Sequence, residues 1–213
     1  MGQFIAENGL YVALARKMEE PVESFRNWLL ARKLKVRSIR IAGGSYLRGL
    51  NHVRIGENFS AGKGFWLDAI TECAGQKFSP EIVIGDNVSI SFWGHIAAIN
   101  RVEIGSGALI GSNVHITDHS HGSYGPETHS SPTVPPAERP LSPGTVVIGK
   151  NVWIGDGVFV GPNSEVGESC IIGTNSVVKG IIPPFTIAVG APARPIKVFD
   201  FKRQEWVRIE GRR

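Results

Sequence analysis

Residues 148–179 read IGKNVWIGDGVFVGPNSEVGESCIIGTNSVVK, and the spacing of their aliphatic residues indicates the fold. An α-helix would repeat its apolar residues every three to four positions, and a half-buried strand would alternate them. Here an aliphatic residue recurs at every sixth position and glycine follows it at five of the six steps. Such a period is typical of a solenoid in which each repeat forms a short strand and a turn. The aliphatic residues in phase are Ile148, Ile154, Val160, Val166, Ile172 and Val178.

The same period occurs earlier in the chain, at residues 84–96 and 104–116 and at Ile55-Gly56. Three repeats close one coil of 18 residues, so that the aliphatic side chains of successive coils stack in columns inside a narrow prism. We therefore predict an all-β chain whose body, residues 39–198, is a parallel β-helix.

Two segments interrupt the period, residues 68–80 and residues 119–144. The second contains six prolines, so we predict an extended loop, residues 119–144, that projects from a corner of the solenoid and contributes to a binding face.

The two ends of the chain lie outside the repeat. Residues 1–38 are predicted to form a helical cap, as two short helices separated at Pro21. Residues 199–213 are predicted to form a short, basic, helical tail.

The charge is unevenly distributed along the 213 residues, which carry a net charge of +4. Residues 1–54 have ten Lys/Arg and four Glu, whereas residues 55–193 have six Lys/Arg and twelve Asp/Glu. An acidic body with basic ends argues against a nucleic-acid partner and leaves contact with a membrane surface open. With two cysteines and no run of about 20 apolar residues, we predict a cytoplasmic protein, with peripheral contact at the inner face of the membrane as the open alternative.

Several motifs resemble those of the hexapeptide-repeat acetyltransferases of the maltose and galactoside type. Around the loop, residues 116–122 (ITDHSHG) and Arg139-Pro140-Leu141 are closer to the lipopolysaccharide O-antigen O-acetyltransferases of that superfamily. The resemblance covers about residues 40–205. The motifs that carry it, besides the repeat, are Asn151-Val152-Trp153-Ile154-Gly155, Asn175-Ser176-Val177-Val178, Ile182-Pro183-Pro184 and Val189-Gly190-Ala191-Pro192-Ala193-Arg194.

The resemblance implies a left-handed β-helix, a homotrimer and acetyl-CoA bound as co-substrate between neighbouring prisms. It also implies that a histidine at the start of the loop, His119 here, removes the proton from the acceptor hydroxyl, a task suited to an imidazole near neutral pH. His121 is the alternative base. Because Asp118 is adjacent to His119 and an extended chain points neighbouring side chains apart, we expect a backbone carbonyl, and not Asp118, to orient the histidine.

The acceptor is expected to be a sugar, a nucleotide sugar or a lipid-linked glycan. The maltose-type enzymes have proline after the histidine and an Asn-Phe pair in the preceding coil, where this chain has Ser120 and Ser91-Phe92, so a different acceptor pocket is expected. The residues assigned to the two substrates are, for the acceptor, Ser91, His95, His121, Tyr124 and Arg139, and, for acetyl-CoA, Trp153, Thr174, Lys179 and Arg194.

Four functions remain in competition at this point. The favoured one is O-acetylation of a sugar hydroxyl in lipopolysaccharide or exopolysaccharide biosynthesis; the others are N-acetylation of an amino-sugar nucleotide, a γ-type carbonic anhydrase and a non-catalytic scaffold. The carbonic anhydrase would need a zinc site, for which His115, His119 and His121 are the candidates. Their spacing matches that site poorly, so no metal is predicted.

Overall fold

The computed structural model describes residue 6 and residues 10–125 and 127–209, with the side chains of residues 10–16 and 18 left undescribed. The other residues of the predicted cap, Pro126 of the predicted loop and residues 210–213 of the predicted tail lie outside this description. One long helix, α1 (Leu10–Leu34), precedes a series of short parallel strands.

Those strands form the three faces of a left-handed β-helix, and each coil visits sheet A, sheet B and sheet C in turn. Two short antiparallel hairpins and two 3₁₀ turns, Leu50–His52 and Pro136–Glu138, complete the described chain. Sheet A contains β1 (Ile39–Ile41), β4 (Phe59–Ala61), β9 (Ser89–Ile90), β12 (Leu109–Ile110), β17 (Trp153–Ile154), β20 (Ile171–Ile172), β23 (Thr186–Gly190), β24 (Ala193–Asp200) and β25 (Glu205–Arg208). Sheet B contains β2 (Tyr46–Arg48), β5 (Trp66–Ala69), β10 (His95–Ala98), β13 (His115–Thr117), β18 (Phe159–Val160) and β21 (Val177–Val178). Sheet C contains β3 (Val53–Ile55), β8 (Glu81–Ile84), β11 (Arg101–Ile104), β16 (Thr145–Ile148), β19 (Ser164–Val166) and β22 (Ile181–Ile182). The hairpins are β6 (Glu72–Cys73) with β7 (Gln76–Lys77), and β14 (His119–His121) with β15 (Leu141–Pro143).

The predicted aliphatic columns are confirmed as the core of the prism. In sheet B, for example, Leu67, Ile96, Ile116, Val160 and Val178 stand in register and are fully buried. Full burial of one such side chain stabilises the fold by about 1.5–3 kcal/mol. Each coil therefore depends on the coils above and below it for most of its stability.

Asparagines occupy several corners of the prism, where the chain turns sharply. Asn87 and Asn113 both have φ of 56°, in the left-handed region that asparagine tolerates better than most residues. Their amides also link coils, as where Asn58 Nδ2 donates to Asn87 Oδ1 at 3.0 Å.

Helix α1 covers the open edge of sheet A at the start of the solenoid. Asn27 Oδ1 accepts a hydrogen bond from Ile41 N at 3.1 Å, Glu23 Oε2 accepts one from Gly43 N at 3.1 Å, and Arg26 donates to the Ile41 carbonyl. These side chains satisfy backbone groups that an edge strand would otherwise present to another chain.

The prediction of two helices separated at Pro21 is wrong, because α1 runs continuously through that residue. Proline removes one hydrogen bond, to the Lys17 carbonyl, but Pro21 is exposed, so water can hydrate that carbonyl. In the turns after Pro21, Glu23, Arg26 and Asn27 bond to the edge of sheet A, and these bonds hold the helix in place despite the missing hydrogen bond.

The predicted helical tail is also wrong, since the described part of residues 199–213 belongs to an antiparallel hairpin. Strand β24 pairs with β23 on one side and with β25 on the other. This hairpin extends sheet A beyond the last coil, and the rings of Phe199 and Trp206 meet edge to face across it at 5.3 Å. The aromatic residues of the tail thus favour a strand that covers an open sheet edge over an isolated helix.

Candidate active site

The root of the long loop holds His119 in one orientation. His119 begins β14, which pairs with β15 so that His119 lies opposite Pro143. Its Nδ1 atom lies 2.9 Å from Asp118 Oδ1 and 3.2 Å from Thr117 Oγ1, and its side chain is 13% exposed. The loop thus starts with a histidine that is largely buried and is fixed at one ring nitrogen.

The expectation that Asp118 does not orient His119 is wrong. Asp118 lies at a bend and not within an extended strand, so the two neighbouring side chains converge instead of pointing apart. Its fully buried carboxylate accepts hydrogen bonds from Ile99 N at 2.9 Å and from Asn100 N at 2.7 Å, both in the preceding coil. Because a carboxylate oxygen can only accept, His119 Nδ1 carries the proton and Nε2 keeps its lone pair.

The backbone around Asp118 is held equally firmly. Gly144 N donates to the Asp118 carbonyl at 2.5 Å, and Asn100 Nδ2 donates to the Gly144 carbonyl at 2.8 Å. The two ends of the long loop are therefore joined to each other and to the coil below. A catalytic group gains from this arrangement because its geometry is set before any substrate binds.

Both interruptions of the repeat leave the prism at the same corner, between sheet B and sheet C (the B–C corner), and they contact each other there. Gln76 of the β6–β7 hairpin accepts a hydrogen bond from Leu141 N at 2.7 Å and donates to the Leu141 carbonyl at 3.4 Å. Leu141 lies opposite His121 in the β14–β15 pair. The hairpin therefore supports the strand that pairs with the His119 strand.

A column of rings runs along the outer face of sheet B and ends beside the loop. Successive ring centroids are 4.9 Å apart for Tyr46 and Trp66, 5.1 Å for Trp66 and His95, 4.2 Å for His95 and His115, and 5.5 Å for His115 and Phe159.

The environment of this column lowers the pKa values of its two histidines. The pKa of His95 is lowered to about 4, mainly by partial burial and secondly by the positive charge of His115. Burial and the charge of His119 lower the pKa of His115 as well. Both rings are neutral at neutral pH. His95 lies close enough to His119 for the charge of His119 to contribute to its lowered pKa, and its role in the acceptor site stays a prediction.

The remaining predicted loop residues lie on the loop itself. His121 is exposed, and its backbone carbonyl accepts a hydrogen bond from Tyr124 Oη at 2.7 Å. Arg139 Nη1 donates to Tyr124 Oη at 2.7 Å, and its Nε donates to the Val134 carbonyl at 2.8 Å. These bonds hold the loop in shape and leave the Tyr124 ring 59% exposed.

Of the predicted acetyl-CoA residues and Ser91, only Lys179 lies at the same corner of the prism as His119. Trp153 projects outward from sheet A and is 52% exposed. Ser91 and Thr174 lie at the corner between sheets A and B (the A–B corner), Lys179 lies at the B–C corner two coils beyond the loop, and Arg194 lies on β24. Trp153 and Thr174 thus lie on a different edge of the prism from His119.

Sequence reasoning missed three residues that build the site. The alternation of side chains in an extended chain argues against Asp118, Asn100 has no distinguishing position in the repeat, and Gln76 belongs to a segment that the period marks only as an interruption. A detectable signal existed for the hairpin: both interruptions fall between a sheet B repeat and a sheet C repeat, which places them on one corner. Among residues 10–125 and 127–209, no group of three or more His, Cys, Asp or Glu side chains could hold a metal ion.

The three parallel sheets and the six-residue period define the class of protein, a left-handed β-helix built from hexapeptide repeats. Residues 145–180 match the model of the bacterial transferase hexapeptide (six repeats) family. A protein of Escherichia coli (strain K12) named "Putative lipopolysaccharide biosynthesis O-acetyl transferase WbbJ" is 41% identical over 76% of this chain and 79% of its own length. The Escherichia coli dTDP-4-amino-4,6-dideoxy-D-glucose acyltransferase is 33% identical over 75% of this chain and 78% of its own length. The chain belongs to the hexapeptide-repeat transferase family.

Solved structures support the same fold. AntD, an N-acyltransferase from Bacillus cereus, in complex with dTDP and 3-hydroxybutyryl-CoA, superposes with a TM-score of 0.64 at 22% identity, over 79% of this chain and 84% of that chain. A hexapeptide-repeat acetyltransferase of Vibrio cholerae in complex with acetyl coenzyme A gives a TM-score of 0.52 at 20% identity, over 84% of this chain and 78% of that one.

Proposed function

We propose that the protein transfers the acetyl group of acetyl-CoA to a hydroxyl of a sugar in the biosynthesis of lipopolysaccharide or a related surface polysaccharide. The observation that carries this proposal is the bond between His119 Nδ1 and the buried Asp118 carboxylate, which leaves Nε2 as a base at the loop root. The relative that is named as a lipopolysaccharide O-acetyl transferase, at 41% identity, supports the acceptor class.

In the proposed reaction, His119 Nε2 removes the hydroxyl proton as the sugar oxygen attacks the thioester carbonyl. The tetrahedral intermediate then breaks its carbon–sulfur bond, and the CoA thiolate takes the proton back from His119. The acetyl ester and free CoA leave, and the enzyme returns to its starting protonation state. Positive charge on the imidazolium is stabilised during this cycle by the Asp118 carboxylate.

Acetyl-CoA is proposed to bind along Trp153 and Thr174, with Lys179 and Arg194 near its phosphates. Trp153 offers an exposed ring on the outer face of sheet A, and all three polar residues are exposed. Cations suit the phosphates of CoA because charge-assisted hydrogen bonds are the stronger ones. Proteins of the same fold that have been solved with 3-hydroxybutyryl-CoA and with acetyl-CoA support this co-substrate.

The separation of Trp153 and Thr174 from His119 supports a trimer with its active sites between protomers. Trp153 lies on sheet A and His119 lies at the B–C corner. The B–C corner of one protomer must therefore meet sheet A of its neighbour for both residues to contact one acetyl-CoA. The outer column of sheet B supports such packing: Tyr46 and Trp66 are 45% and 46% exposed in the single chain. Apolar side chains of this size are usually covered.

The acceptor is proposed to lie between His119 and the loop, with His95, His121, Tyr124 and Arg139 as its neighbours and with Ser91 contributed from the A–B corner. A nucleotide sugar and a lipid-linked glycan both remain acceptor candidates. The enzyme is proposed to act in the cytoplasm, and none of the described helices is long and apolar enough to cross a bilayer.

N-acylation of an amino sugar is the second candidate, favoured by the 33% identical acyltransferase of a dTDP-amino sugar. The two candidates are separated by incubating the enzyme with acetyl-CoA and panels of neutral and amino-sugar acceptors, following thiol release and then treating the product with mild alkali. We expect an ester, which alkali cleaves. A product that resists alkali would be an amide and would establish N-acylation; absence of thiol release with every sugar would contradict the proposed function.

A further inference from the structure

In the part of helix α1 whose side chains are described, one side packs on the first coil and another carries exposed apolar residues. Asn27 and Ala31 are buried against the first coil, whereas Val22, Phe25, Trp28 and Leu29 are exposed by 72%, 62%, 49% and 48%. With 100° per residue, Val22, Phe25 and Leu29 lie roughly opposite Asn27 and Ala31, and Trp28 lies at the side of the helix between the two sets. The described chain therefore presents an apolar helix face that points away from the solenoid.

The exposed side chains form one surface and not four isolated contacts. The rings of Phe25 and Trp28 stack at 5.8 Å, and the Arg32 guanidinium lies 4.5 Å from the Trp28 ring centroid. We call this surface, Val22, Phe25, Trp28, Leu29 and Arg32, the cap face. Aromatic rings beside a basic group are typical of helices that lie in the headgroup region of a bilayer.

Basic residues predominate along the chain after the first turn of the cap face. Glu19, Glu20 and Glu23 lie on the helix beside Val22, whereas residues 24–56 contain eight Lys/Arg and no Asp/Glu. Several of these pair with acids in the body, as Arg48 does with Asp68 and Arg54 with Glu81. Among the described residues, however, Arg32, Lys33, Lys35 and Arg40 are exposed and have no acidic ion-pair partner.

We propose that the cap face binds the surface of a membrane that contains anionic lipids. The apolar side chains would enter the headgroup region while Arg32, Lys33, Lys35 and Arg40 meet lipid phosphates, each basic residue adding to the attraction. The acidic body, which would be repelled, remains on the solvent side. Such docking would bring the enzyme to glycans that are attached to a membrane lipid, and it does not depend on the proposed chemistry.

The test is co-sedimentation of the full chain with vesicles of phosphatidylcholine alone and of phosphatidylcholine with about 30% phosphatidylglycerol. We expect binding to the anionic vesicles, weakened by raised salt because the charge term is screened. The double substitution Phe25→Ser with Trp28→Ser should lower the binding constant at least about tenfold. Arg32→Gln with Lys35→Gln should weaken binding to anionic vesicles without affecting the weak binding to neutral ones.

Ile181→Ser is the matched control, because Ile181 is as exposed, at 71%, but lies on sheet C of the acidic body. Its binding should stay within about twofold of the wild type, since the cap face is unchanged. Wild-type protein that does not sediment with anionic vesicles would overturn the proposal, as would equal binding by the Phe25/Trp28 variant. If light scattering gives a lower molar mass for the Phe25/Trp28 variant than for the wild type, the cap face joins copies of this chain and the membrane proposal is wrong.

Discussion

At the scale of single residues, the pair Asp118 and His119 determines what the site can do. The buried carboxylate accepts two backbone N–H groups and the His119 Nδ1 proton at once. A neutral carboxamide at this position could not accept all three bonds without turning its own N–H₂ towards a donor. The orientation and tautomer of His119 therefore both depend on Asp118.

We expect Asp118→Asn to lower kcat by roughly 10²-fold or more, because the histidine loses the partner that fixes its protonated nitrogen. Steady-state thiol release measures this. Thr117→Val is the matched control, since the Thr117 hydroxyl also contacts Nδ1, at 3.2 Å, without anchoring it to the coil; its kcat should change only a few-fold. Comparable activity of Asp118→Asn and wild type would show that the carboxylate is not required for orientation.

His95 makes the stability of the fold depend on pH. Its pKa is lowered from 6.5 to about 4 in the folded chain, so the unfolded chain takes up a proton in a range where the folded chain resists it. Stability is therefore complete above about pH 6.5 and falls as the pH drops towards 4. After discounting for partial exposure, the loss is on the order of 1–2 kcal/mol.

Replacing His95 with phenylalanine keeps a ring in the column and removes this titration. We expect thermal unfolding midpoints of His95→Phe to change less between pH 7.5 and pH 4.5 than those of the wild type. A variant whose midpoint falls as steeply as that of the wild type would assign the pH dependence to other groups.

The resemblance to the hexapeptide-repeat acetyltransferases predicts a histidine at the loop root, and His119 lies at that position in the structure; its role as the base stays a prediction. The sequence was insufficient for Asp118, because the alternation of side chains holds only while the chain stays extended, and a bend at Asp118 brings adjacent side chains together. The hydrogen bonds from Ile99 and Asn100 are contacts between coils, and the repeat period does not specify which polar side chain turns inward at a corner.

At the scale of elements, the two insertions at the B–C corner act as one support for the site. The β6–β7 hairpin leaves the solenoid two coils before the long loop, and the Gln76 side chain bonds to Leu141 of that loop. The period predicts which segments interrupt the repeat, residues 68–80 and residues 119–144. It could not predict a contact between two irregular segments, and it also misjudged Pro21 and the C-terminal hairpin, where packing on a sheet edge outweighs local propensity.

Gln76→Met keeps the length of the side chain and removes both bonds to Leu141. We expect kcat to fall about threefold to tenfold and proteolysis within residues 119–144 to become faster, because the strand opposite His119 loses its outer support. Lys77→Ala, on the same hairpin and exposed, serves as the control and should change neither quantity. Unchanged kinetics and unchanged proteolysis in Gln76→Met would show that the hairpin is not a support.

At the scale of the whole molecule, the positions of Trp153 and His119 on different prism edges predict shared active sites. Chains with His119→Ala and chains with Trp153→Ala should each be impaired when assembled alone. Randomly mixed trimers should regain about one quarter of wild-type activity at low acetyl-CoA, because that share of interfaces joins an intact His119 to a neighbour's intact Trp153. Light scattering that shows an active monomer, or mixed trimers without recovery, would contradict the proposed arrangement.

The most direct measurement compares kcat for thiol release by the wild type and by His119→Ala, with acetyl-CoA and the best sugar acceptor. General-base catalysis predicts a fall of about 10²–10⁴-fold in kcat, with the dissociation constant of acetyl-CoA, measured by calorimetry, essentially unchanged. His121→Ala should retain most activity, because His121 is exposed and lies beyond the Asp118 anchor. Activity of His119→Ala within a few-fold of the wild type, together with an inactive His121→Ala, would contradict the assignment of His119 as the base.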